Sequence, residues 1–192
     1  MSVIIESLRE DHRGFEEILE ALEQEVALFE RAERPDYEIL EAIVGYFQGY
    51  PGCCHHPKED VVFRKLKQRD PAAAVAIGDL ETEHVELAER LREFAVALEN
   101  VLGEQDMPRE TLSKAARDFV QGKREHMKKE EQTFFSAALD ALSEQDWTEL
   151  EKETTREGDL LFAEQPSQEF AALRERIVKW EQEDEEQRTV EN

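Results

Sequence analysis

Apolar residues recur every three or four positions in four successive stretches of roughly thirty residues, and this periodicity constrains the fold more than any other feature. The first stripe is Ile5, Leu8, Phe15, Leu19, Leu22, Val26 and Phe29. The second, from Asp36 to Gln68, carries Leu40, Val44, Phe47, Val62 and Leu66. The third opens at Pro71 and runs through Ile77, Leu80, Leu87, Leu91, Phe94, Leu98 and Val101 as one helix. The fourth follows Pro108 with Leu112, Ala115, Phe119, Phe134, Ala137 and Ala141. The connections "RAERPD", Asp70-Pro71 and "LGEQDMPRE" are too short to return a parallel neighbour. An all-α, antiparallel up-down four-helix bundle over residues 1–142 is the economical solution. A helical extension over 143–185 is expected to pack on it. It starts at "SEQDW", where Ser143 and Asp146 form an N-cap arrangement, and continues as an amphipathic stretch from Phe170 to Trp180. The acidic end, 186–192, reads as disordered.

The net charge of -23 excludes a nucleic-acid surface, since phosphate contacts need clustered Lys and Arg. It equally disfavours an anionic membrane. No apolar run approaches ~18 residues, and the start "MSVIIESLREDH" has no basic leader region. The two cysteines, Cys53 and Cys54, are adjacent and make no disulfide framework, so a reducing cytoplasm is the expected location. Neighbours in the chain do not easily form an unstrained disulfide, and both read as small hydrophobes.

Each apolar stripe contains one histidine: His12, His55, His84 and His126. A stripe covers about two-fifths of helical positions, so four independent placements would coincide about one time in forty. Measured along the helices from their shared loops, at ~1.5 Å per residue, the four imidazoles fall within about one turn of a common level. Glu59 lies four residues after His55, and Glu130 four after His126, so each pair projects from one helix face. A hydrogen-bonded core histidine explains any one of these residues. It does not explain the set, because two buried carboxylates beside four imidazoles need cations. Imidazole with carboxylate suits iron, manganese or zinc, and two carboxylates able to bridge suit a metal pair.

The pattern His, His-x3-Glu, His, His-x3-Glu on four successive helices resembles the hemerythrin-like HHE cation-binding family. It is carried by His12, His55 with Glu59, His84, and His126 with Glu130, in "EDHRGFEEILEAL", "YPGCCHHPKEDVVFRKL" and "KREHMKKEEQTFF". The similarity spans roughly residues 2–175, including "SEQDWTELEKETTREGDLLF", which is similar to an extension in a bacterial branch. The resemblance implies a non-heme centre of two iron ions, bridged by both glutamates and an oxo or hydroxo group. His12 and His55 would bind one iron, His84 and His126 the other, and the ligand would be O2, NO or peroxide. An iron store, donor or sensor without turnover is the alternative. Oxygen carriers of the family have a fifth histidine where this chain has Leu80, and an Asp where it has Glu131 beside Glu130. These departures point toward the branch that includes iron-sensing and nitrosative-stress iron-repair proteins.

"YPGCCHHPKED" interrupts the second helix with Pro51 and Pro57. Each lacks an N–H and crowds the carbonyl four residues back, which predicts a kink or break just before His55 that aims it and opens a way to the metals. His56 falls off the apolar stripe and reads as a supporting or solvent-facing residue. Glu81 and Glu131 read as seam or surface glutamates. Gly122 would leave room beside the metals, and Phe63 and Phe134 would form a dry wall over them.

Overall fold

The structure is a computed structural model describing residues 2–156 and 168–180; the acidic end beyond residue 180 lies outside the described residues. The amphipathic pattern becomes helices α1 (Val3–Glu30), α2 (Tyr37–Tyr50), α3 (His56–Arg69), α4 (Pro71–Ile77), α5 (Leu80–Leu102), α6 (Arg109–Lys129), α7 (Phe135–Ala141) and α8 (Glu144–Arg156). A ninth helix, α9, spans 168–180. Among the described residues there is no strand. Four rods form the bundle: α1, α2 with α3, α5, and α6 with α7. Helix α5 packs on α6, α6 on α1, α1 on α2, and α2 on α5, closing the ring.

Two rods are joined internally by π-helical turns, Pro51–His55 between α2 and α3 and Glu130–Phe134 between α6 and α7. The break expected in the second helix is therefore a widened turn within a continuous rod. Pro51 can enter such a turn because a π turn reassigns the carbonyls that its missing N–H would otherwise leave unpaired. The second π turn has no proline or glycine to announce it.

The third rod differs from the single helix expected. It divides at Gly78, whose φ of +92° is open to glycine at little cost, after which Asp79 caps α5 through the Thr82 amide at 3.2 Å. The cap expected at Ser143 is present: the Asp146 amide donates to Ser143 Oγ at 3.2 Å and Asp146 accepts from the Ser143 amide at 3.1 Å.

The apolar interior is two cores rather than one. The first holds Phe15, Leu19, Ile43, Phe47, Phe94, Leu98 and Phe119, and the second holds Ile5, Leu8, Val62, Leu66, Phe134 and Phe135. In every rod a histidine falls at the boundary between them. Helix α8 adds Leu150 to the second core and α9 adds Ile177 to the first. Helix α9 reaches the bundle through Gly49, where the Phe170 ring lies closer than any side chain would permit. The same ring meets Tyr46 and Tyr50 edge-on at centroid distances of 5.8 and 5.5 Å. Gly49→Val is expected to push α9 off the bundle at a cost of about 1–3 kcal/mol. Hydrogen exchange should show residues 168–180 losing protection while α5 and α6 keep theirs.

Candidate metal centre

The layer between the two cores is built almost entirely from polar atoms. His12, His55, Glu59, His126 and Glu130 are each at most 7% exposed, and the His84 side chain is 12% exposed. All six residues singled out in the sequence meet here. Glu59 sets Oε1 3.3 Å from His55 Nε2 and Oε2 3.4 Å from His84 Nε2. Glu130 sets Oε2 3.3 Å from His12 Nε2 and Oε1 3.0 Å from His126 Nε2. Each carboxylate thus spans two histidines from different rods.

None of these atoms makes a hydrogen bond among the described residues: the four Nε2 atoms and both oxygens of each glutamate are buried and orphaned. Eight such atoms in one layer would be very costly to leave without partners. Two ligands at ~2.1 Å from one ion, about a right angle apart, sit roughly 3.0 Å from each other. The separations found here match ligands around a shared cation. Two overlapping groups have metal-holding geometry, His12–His55–Glu59–Glu130 and His84–His126–Glu130.

The outer nitrogens explain why the inner ones point at the centre. His12 Nδ1 donates to Glu131 Oε1 at 3.2 Å, His55 Nδ1 to Asp11 Oδ2 at 3.1 Å, and His126 Nδ1 to Glu83 Oε2 at 3.0 Å. A carboxylate on Nδ1 fixes the tautomer and leaves the Nε2 lone pair free for a metal. Asp11 also accepts from Tyr50 Oη at 2.7 Å and Lys58 Nζ at 2.9 Å, so it is itself held rigidly. Burial would raise the Asp11 carboxyl, but His55 and Lys58 outweigh it and keep the group ionised. Burial would likewise raise Glu130, yet His12, His126 and His84 hold it well below the usual carboxylate range.

Asp11 and Glu83 were not singled out in the sequence. Each precedes a histidine on its own helix but braces the histidine of the next rod, a relation no local spacing shows. Glu131, expected at a seam, braces His12.

His56 also departs from its expected place. Its ring stacks on His84 at 3.7 Å with 7° between planes, and with Glu59 and His84 it forms a third group able to hold a metal. An unbroken 3.6-residue period would turn His56 off the buried face. The π turn adds a residue just before it and rotates the following face by about 100°. Burial, then the neighbouring charges of His84 and Lys123, push His56 down to about 2, so its imidazole stays neutral and able to donate a lone pair.

Phe63 and Phe134, expected to wall the site, meet each other edge-on at 5.5 Å in the second core. The space beside Gly122 belongs to the Arg90 guanidinium, which donates to the Asp118 carbonyl at 3.1 Å, and not to the centre. Cys53 and Cys54, expected as free thiols, are joined in a disulfide. Both lie in the π turn, where the backbone has already left α-helical geometry.

Glu83→Gln removes the charge that braces His126 and is expected to weaken metal binding by about 10–100-fold, measured by competition with a chelator. A pH dependence follows from His84. Burial lowers its pKa, but Glu130 and Glu59 outweigh burial and lift it to about 9. A raised histidine stabilises the folded state fully below its ordinary value of 6.5, and that contribution disappears as pH rises through 9. The melting temperature of the metal-free chain should therefore fall between pH 6.5 and 9, by circular dichroism, while the metal-loaded chain shows no such loss.

No helix of the described residues is long and apolar enough to cross a membrane. No curated protein and no solved structure matches the chain. A family model, the hemerythrin HHE cation-binding domain, matches residues 3–138. With that match over most of its length, the chain belongs to the hemerythrin HHE cation-binding domain family.

Proposed function

We propose that the protein is a non-heme di-iron protein that binds, senses or reacts with a small molecule: O2, NO or peroxide. One observation carries the pair. Glu59 and Glu130 each direct one oxygen toward the His12–His55 side and the other toward the His84–His126 side. This placement supports a reading in which both carboxylates would serve two cations. Bound there, two irons would supply ferrous–ferric redox chemistry and coordination positions for a small ligand.

The chain's own residues do the rest. Asp11, Glu83 and Glu131 hold three imidazoles in the ligating tautomer. His56 offers a further nitrogen on the His84 side, from the second rod rather than from the position of Leu80. Phe63, Phe134 and Phe135 exclude water from the second core's face of the layer. With His56 counted, three histidines would serve the His84–His126 side and two the His12–His55 side.

The division of the core supports a second reading, an iron sensor, store or donor. A polar layer between two apolar cores couples metal loading to folding. Loading would then report through stability and partner binding rather than turnover.

Anaerobic loading with Fe(II), metal counting by plasma mass spectrometry and optical scans on admitting air test both readings. Two irons per chain with new near-ultraviolet bands in air are expected. Two irons, a large rise in melting temperature and no spectral response to air, NO or peroxide would favour the sensor or store. One metal, or none, would overturn the iron pair. His56→Ala is expected to leave two irons bound but to alter those bands and weaken the second metal's affinity about tenfold or more.

A further inference from the structure

Between α2 and α5 a crevice opens with a volume of about 400 Å³. Its walls are Phe47, Pro51, Leu91 and Phe119, and the stacked His56–His84 pair forms part of its lining. A water molecule's share of liquid volume is about 30 Å³, and a diatomic needs little more. The crevice is about ten times larger, within the range of organic-ligand sites. Access for O2 or NO alone does not account for it.

One cation is built into this apolar space. Lys123, on α6, is 3% exposed and lines the crevice. Its Nζ lies 4.5 Å from the Phe15 ring centroid and makes no hydrogen bond or ion pair among the described residues. Glu130, Glu59 and Asp11 act on it only from a distance. Burying an ammonium is costly unless something pairs with it. Burial presses Lys123 toward the neutral amine, and an acidic ligand in the crevice would hold it charged. Arg92, at the exposed edge of the lining, is paired with Glu89 at 2.6 Å, so the cation left to meet a ligand is Lys123, deeper in and away from the exposed Glu81.

We propose that this crevice binds a small organic monoanion with an apolar body, such as an aromatic or short aliphatic carboxylate, its charged head on Lys123 and its body between Phe47, Leu91 and Phe119, beside the His56–His84 pair. The proposal goes beyond the iron reading and leans on it for one point. Once Glu59 and Glu130 are engaged by cations, they no longer serve as distant counter-charges for Lys123. A molecule seated there lies against two imidazoles of the centre, placed as its substrate or effector.

The probe is benzoate, compared with benzyl alcohol of nearly the same shape, titrated calorimetrically into the full-length protein as purified and after iron loading. Benzoate is expected to bind at least tenfold more tightly than the alcohol. Lys123→Met keeps the bulk, removes the charge, and should abolish that preference while leaving weak binding of both. Leu91→Trp fills the crevice without touching Lys123 and should abolish binding of both; circular dichroism confirms that each variant is folded. No saturable benzoate binding to the folded native chain, or a preference that survives Lys123→Met, overturns the proposal. Metal counts on the same samples separate the two readings. Two irons without benzoate binding overturn this site alone, and charge-selective benzoate binding on a chain that takes up no iron pair leaves this site standing while the iron reading fails.

Discussion

A folded helical bundle ordinarily closes over a continuous apolar interior, and here a layer of four imidazoles and two carboxylates cuts through it. The layer consists of orphaned atoms aimed at one another: four Nε2 atoms and four carboxylate oxygens, buried and without hydrogen bonds among the described residues. Everything around it follows from holding those atoms in place. Three carboxylates fix the outer imidazole nitrogens, Lys58 and Tyr50 fix one of those carboxylates, and aromatic rings seal the layer on either side. Without the cations that such a donor set fits, the two buried carboxylates depend on protonated imidazoles such as His84 to offset their charge, an arrangement that weakens as pH rises.

Much of this was legible in the sequence because it depends on periodicity. A helix that places Leu8 and Phe15 inward places His12 inward as well, and the same argument finds His55, His84 and His126. The i, i+4 relation then adds Glu59 and Glu130. What stayed hidden depends on departures from that period or on contacts between rods. His56 is turned to the centre by a π turn that a uniform 3.6-residue count cannot represent. Asp11 and Glu83 act across to a neighbouring rod. The division of the third rod at Gly78 was missed because Ile77 and Leu80 continue the apolar spacing across it, so the pattern reads through a break that only the backbone reveals.

The two halves of the centre are built alike. In α1 and again in α5, an acidic residue is followed by a histidine of the layer, and in the next rod a histidine is followed four residues later by glutamate. Asp11 braces His55 as Glu83 braces His126. The likeness ends at His84. Its Nδ1 has no carboxylate among the described residues, and its ring rests on His56 instead. The half with the extra imidazole also borders the large crevice, so the layer is asymmetric in its donors and in its surroundings.

The π turns make the centre dependent on chain length in a way its composition does not suggest. Each sits beside a residue of the polar layer, Pro51–His55 ending on one and Glu130–Phe134 beginning on another. Losing a single residue from either turn would let the rod relax into a regular α-helix, a change that is mild for the backbone. Yet it would rotate one end of that rod by about 100° against the other. After such a loss in the first turn, α2 and α3 could no longer present both Phe47 to one core and Glu59 to the polar layer. Residues within these turns are therefore exchangeable in kind more readily than in number, and a one-residue deletion there would be a phase error between the two cores and the polar layer that joins them.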